Sequence, residues 1–157
     1  MITVKTFCFN LLQENTYVLS DDTQECVIID CGAYYQEERD ALVNYINDNH
    51  LKPTHLLCTH GHFDHNFGIN TVYDTWGLKP EIASDDDWLI SYIPGQFLAM
   101  AGVKLKWTYP EPGHFFDNNE VISKVKCINP FPVSFLNISP LPLTLSLSRK
   151  GRGYRLI

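Results

Sequence analysis

Apolar and polar positions alternate along Ile2–Phe9, which predicts a strand. Thr16–Ser20 and Cys26–Asp30 are apolar and β-branched. The polar run Asp21-Asp22-Thr23-Gln24 joins them, so they read as the second and third strands of a meander. Cys31-Gly32 breaks the third strand. From Glu37 to Asn49 the period changes. Ala41, Leu42, Tyr45 and Ile46 share one face and acids and amides the other, which predicts an amphipathic helix. Lys52-Pro53 ends that region, and the apolar run Thr54–Thr59 reads as a short buried strand. A second helix is predicted over Asn66–Trp76, with Phe67, Val72, Tyr73 and Trp76 apolar and Gly77 as its stop. Glu81–Ala83 predicts a short strand, and Asp85–Tyr92 a short helix with acids in its first turn. Pro94–Gly102 reads as helix or loop, and Glu120–Ile122 as the start of another strand. The order β-β-β-α-β-α-β-α predicts an α+β fold, a mixed sheet with helices on one face.

Charge divides the chain. Residues 1–122 carry all eighteen acids and a net charge of −12, whereas residues 123–157 carry six cations, no acid and a net charge of +6. The second segment is also proline-rich and contains no histidine. It reads as a separate tail, either a basic anchor or a peptide foreign to the preceding domain. The acidic domain argues against nucleic acid as a partner. No stretch approaches the ~18 apolar residues of a membrane span. Met1–Phe9 lacks the apolar core of a signal peptide. Five cysteines without a CxxC pair fit reduced, buried thiols and predict a cytoplasmic protein.

Four of the six histidines fall between residues 55 and 65. Thr59-His60-Gly61-His62-Phe63-Asp64-His65 follows directly on the strand at Thr54, so one end of this loop is fixed by a sheet and the other by a helix. Gly61 is expected to turn the backbone so that His60 and His62 face one side. Imidazole and carboxylate are ligands for zinc and for non-haem iron or manganese. Asp64 and His65 leave the loop in different directions and suit a second ion. The competing reading is a polar surface loop with incidental histidines.

His60-Gly61-His62-Phe63-Asp64-His65 resembles the HxHxDH signature of the metallo-β-lactamase superfamily, and Val27-Ile28-Ile29-Asp30-Cys31-Gly32 resembles its strand ending in Asp-x-Gly. Phe9-Asn10 through Gln13-Glu14-Asn15-Thr16-Tyr17 resembles the small glyoxalase-II-like hydrolases. This resemblance covers residues 1–122 and implies the N-terminal half of a four-layer αβ/βα sandwich. It implies that His60 and His62 hold a first metal, and Asp64 and His65 a second. Asp64 would also orient the nucleophile, and Asp30 would support the site from a strand end. Zinc is the implied metal, with iron or manganese as alternatives. The implied reaction is hydrolysis of thioesters or related esters by a metal-bound hydroxide.

The family also uses a later Thr-Pro-Gly-His histidine, a bridging aspartate and a last histidine. His114 in Pro112-Gly113-His114 is the available candidate for the first of these. Phe115-Phe116 after it set it apart from the family's segment, so it is expected to lie outside the metal site. After Glu120 no His, Asp or Glu remains. A truncated, catalytically impaired fragment with weak metal binding is therefore the alternative. Its sheet would expose Ile2, Val4, Val18, Val27, Ile29 and Leu57, and is expected to drive a homo-oligomer.

Overall fold

The computed structural model describes residues 1–116. The predicted strand at Glu120, the boundary at 122/123, the tail and Cys127 lie outside the described residues. Six strands form one sheet in the order β1-β2-β3-β4-β5-β6. β1 (Thr3–Phe9), β2 (Glu14–Ser20) and β3 (Glu25–Ile29) make an antiparallel meander. β4 (Lys52–Leu57), β5 (Pro80–Ala83) and β6 (His114–Phe116) follow in parallel, each pair joined by a crossover. The sheet is mixed, as the order of elements predicts.

Helices α1 (Gln36–Asp48), α3 (Ile69–Trp76), α4 (Asp87–Ser91) and α5 (Ile93–Ala101) contribute to one apolar cluster on one face of the sheet. Leu42 and Ile46 of α1, Val72 of α3 and Phe97 of α5 meet Val18, Ile28, Leu56 and Ile82 of the strands there. The other face holds a smaller cluster of Val27, Ile29 and Leu57, with half-buried Tyr17 and Leu19. Val18 thus lies on the helix side and not on the second face, because it is one residue out of step with Tyr17 and Leu19. Ile2 and Val4 are exposed at the edge strand. Among the described residues, no helix is long and apolar enough to cross a membrane.

Three elements differ from the sequence reading. The helix predicted over Asn66–Trp76 is two helices, α2 (Phe63–Asn66) and α3, broken at Gly68. There the Gly68 N–H donates to Cys31 O at 2.7 Å, and a Cβ at Gly68 would lie 2.4 Å from Cys31 Sγ. A tertiary contact therefore overrides the helical period. Pro94–Gly102 resolves into α5, ending at Gly102 in the left-handed region, as α3 ends at Gly77. The segment around His114 is the third. It forms β6, three residues too short to show a period of two.

Candidate metal centre

β3 ends where Asp30 turns into the left-handed region at φ 52°. Such a backbone costs a non-glycine residue roughly 1–2 kcal/mol, and the bonds it makes offset the strain. Its N–H donates to Leu57 O at 2.8 Å. Its buried carboxylate accepts from Thr59 N and Thr59 Oγ1, both at 2.7 Å, and from His65 Nδ1 at 2.9 Å. One strand-end carboxylate thus ties β3 to both ends of the histidine loop.

The loop backbone is held by two side-chain amides. Asn66, fully buried, donates to His60 O at 2.8 Å and to His62 O at 2.7 Å. Gln96 of α5 donates to Gly61 O at 3.0 Å and to Leu89 O at 2.9 Å, and accepts from Phe63 N at 3.2 Å. Gly61 serves here by its lack of a side chain rather than by an unusual turn. A Cβ at that position would meet Leu89 Cβ at 2.3 Å. From the β1–β2 turn, Asn10 Nδ2 donates to Asp64 O and to Gly32 O, each at 2.9 Å.

The loop brings three imidazoles together. The His60 ring centroid lies 4.5 Å from that of His62 and 4.3 Å from that of His65. Asp64 Oδ2 is 3.8 Å from His65 Nε2. His114 stands apart, exposed on β6 at the register position of Glu81. Burial, with the neighbouring His65 and His62, lowers the His60 pKa to about 3. Burial also lowers that of His62, against the pull of Asp64. Both rings are therefore neutral and keep a lone pair for a cation. At His65 burial works in the same direction. The hydrogen bond and charge of Asp30, with Asp64 and Glu14, outweigh it and raise the pKa to about 9.

Glu14 is the residue that motif reading missed. Its side chain is fully buried, and burial raises its pKa to about 8. Oε2 accepts from Thr16 Oγ1 at 2.9 Å, while Oε1 has no hydrogen-bond partner and sits 3.7 Å from His65 Nδ1. Glu14, Asp30 and His65 place ligand-type atoms within 4.8 Å of one another. Asn66 and Gln96 also escaped notice, because a lone amide in sequence gives no sign of the carbonyl it will meet. A glutamate in a β2 segment otherwise rich in apolar and hydroxyl residues was the one available signal for Glu14.

Known proteins resemble the chain in sequence and in fold. The probable metallo-hydrolase YqgX of Bacillus subtilis is 33% identical over 79 residues, 50% of this chain and 35% of that one. The chain spans 35–38% of the length of the curated relatives it matches. The crystal structure of BLEG-1, a B3 metallo-β-lactamase, superposes with a TM-score of 0.65 at 26% identity, over 74% of this chain and 54% of that one. That of TTHA1623 in a di-iron-bound form superposes with a TM-score of 0.62 at 24% identity, over 75% and 55%. A family model for the metallo-β-lactamase superfamily matches residues 9–137, well over half of the sequence, and the chain belongs to that superfamily.

Proposed function

We propose that the protein is a metal-dependent hydrolase of glyoxalase-II-like type, acting on thioesters or related esters in a cytoplasmic setting. The observation that carries the reading is the convergence of His60, His62 and His65 beside Asp64 at the end of a buried strand. The donor set fits a divalent cation. Two of its imidazoles are held neutral, and a carboxylate stands beside the third. His60 and His62 would hold a first ion, and Asp64 and His65 a second, with zinc expected and iron or manganese as alternatives. When bound, such ions supply a water acidified toward neutral pH and a Lewis acid for the scissile carbonyl.

The chain's own residues prepare this chemistry. Asp30 holds His65 with Nδ1 turned inward, so that Nε2 faces Asp64. Asn66 and Gln96 fix the peptides that carry His60 and His62, which limits the motion of the rings relative to one another. Asp64, mostly buried but in reach of solvent, can accept a hydrogen bond from a water and so orient it. The acidic charge of residues 1–122 disfavours polyanionic substrates.

A second reading is a weakly metal-binding, self-associating protein without turnover. It is favoured by the two side chains that the loop offers each ion, where a stable zinc site has three or four. Elemental analysis of purified protein, together with hydrolysis of a generic thioester, separates the two. Bound zinc, iron or manganese and turnover that vanishes in His60→Ala and His62→Ala are expected, with His114→Ala close to wild type. Metal binding without turnover would favour the second reading. Equal loss of metal in His114→Ala would place that histidine in the centre after all.

A further inference from the structure

At the start of the loop, Asp30, Thr59 and His60 form a three-membered polar chain. Thr59 Oγ1 lies 2.7 Å from Asp30 Oδ2 and 2.9 Å from His60 Nδ1. A carboxylate oxygen can only accept, so the single hydroxyl proton of Thr59 points at Asp30. What Thr59 Oγ1 then offers to His60 is a lone pair. A lone pair is satisfied only by an N–H, so the proton of the neutral His60 ring belongs on Nδ1. The ring's own lone pair is left on Nε2. Asp30 oxygens also accept from the Thr59 N–H and from His65 Nδ1, so the carboxylate cannot turn away to release the hydroxyl.

We propose that Thr59 is a positioning residue of the metal loop, relaying Asp30 to His60 and fixing His60 as the Nδ1–H tautomer with Nε2 presented to the metal. Through it one carboxylate sets two histidines, His65 directly and His60 through a hydroxyl. This deepens the proposed function and rests on His60 being a metal ligand. The loop sequence supports the choice of residue. Valine would fill the same space and suit the end of a strand equally well, yet it lacks the oxygen. Without that oxygen nothing among the described contacts of His60 Nδ1 holds its proton, and the ring is free to place it on Nε2, where it blocks coordination.

The test uses Thr59→Val, which is isosteric, and Thr59→Ser, which restores the hydroxyl. Long-range proton–nitrogen NMR of the metal-free protein at neutral pH reads the His60 tautomer directly. Wild type and Thr59→Ser are expected as Nδ1–H, and Thr59→Val is expected to populate Nε2–H. Zinc affinity, measured against a chromophoric chelator, is expected to fall about tenfold or more in Thr59→Val and to return in Thr59→Ser. Should Thr59→Val fail to fold, Thr59→Ala carries the same expectation, since it too lacks the oxygen. A wild-type His60 in the Nε2–H form would overturn the proposal. So would an unchanged tautomer in the hydroxyl-free variant, or a Thr59→Ser variant that behaves like Thr59→Val. If wild type binds none of zinc, iron or manganese, the hydrolase reading fails, while the tautomer measurement still decides the role of Thr59.

Discussion

The two faces of the sheet share strands but not a manner of burial. On the helix side Ile28, Leu56 and Ile82 are fully buried and meet side chains of four helices in one continuous cluster. On the other side Val27, Ile29 and Leu57 make a small group, with Tyr17 and Leu19 half-buried at its margin. That second face also holds a hydrogen-bonded polar pair. His55 Nδ1 stands 2.6 Å from Glu81 Oε1, with both side chains less than a fifth exposed and His55 Nε2 left without a partner. The helix face is closed mainly by apolar packing. The other combines a little apolar area with a polar pair whose geometry must be kept.

The contrast can be broken by mutation. Leu56→Ala removes a fully buried side chain from beneath the helices and is expected to cost about 2–5 kcal/mol. Urea unfolding of metal-free protein measures it. Glu81→Gln removes a charged hydrogen-bond partner from His55 and is expected to cost about 1.5–3 kcal/mol. Val27→Ala deletes two methyl groups from the smaller cluster, and about 1–2 kcal/mol is expected. The order matters more than the values. A Val27→Ala loss equal to that of Leu56→Ala would show that the second face is packed as tightly as the first.

The helix side was legible because its signals are periodic. Leu42 and Ile46 recur at helical spacing, and β3 reads Cys26-Val27-Ile28-Ile29, apolar at every position, as a strand buried on both faces must be. The histidine loop was legible because four side chains of metal-ligand type fall within six residues. What fixes that loop was not. Asn10, Asn66 and Gln96 reach it from three different parts of the chain through hydrogen bonds to loop carbonyls, and Glu14 of β2 lies beside the His65 ring without a bond to it. Contacts between residues 35 or 54 positions apart leave no local pattern. Gly61 shows the same limit. The sequence suggested a flexible turn, while the reason for glycine is the proximity of Leu89, a residue of α4. β6 was missed because three residues cannot display alternation.

The smallest expected effect is chemical rather than energetic, and it separates the faces within one experiment. Cys8 projects from β1 on the same side as Thr6 and Val4 and is exposed. Cys26 projects from β3 into the helix side and is fully buried. Burial in apolar surroundings pushes the Cys26 thiol up to about 12. Only the thiolate reacts with an alkylating reagent. At pH 8 a thiol with that pKa is roughly one part in ten thousand ionised, and the helices deny the reagent access as well. Cys31 sits behind the loop and is likewise pushed up to about 12, chiefly by burial. Brief iodoacetamide treatment of native protein, followed by peptide mass spectrometry, is expected to label Cys8 and leave Cys26 and Cys31 unmodified. Leu56→Ala sharpens the comparison. Loosening the packing above β4 is expected to admit reagent to Cys26 before the metal loop loses its structure, because the loop is anchored separately by Asp30 and the two amides. Labelling of Cys26 at the rate of Cys8 in the wild-type protein would mean that the helix side opens readily, and that its continuous apolar cluster confers less rigidity than its burial implies.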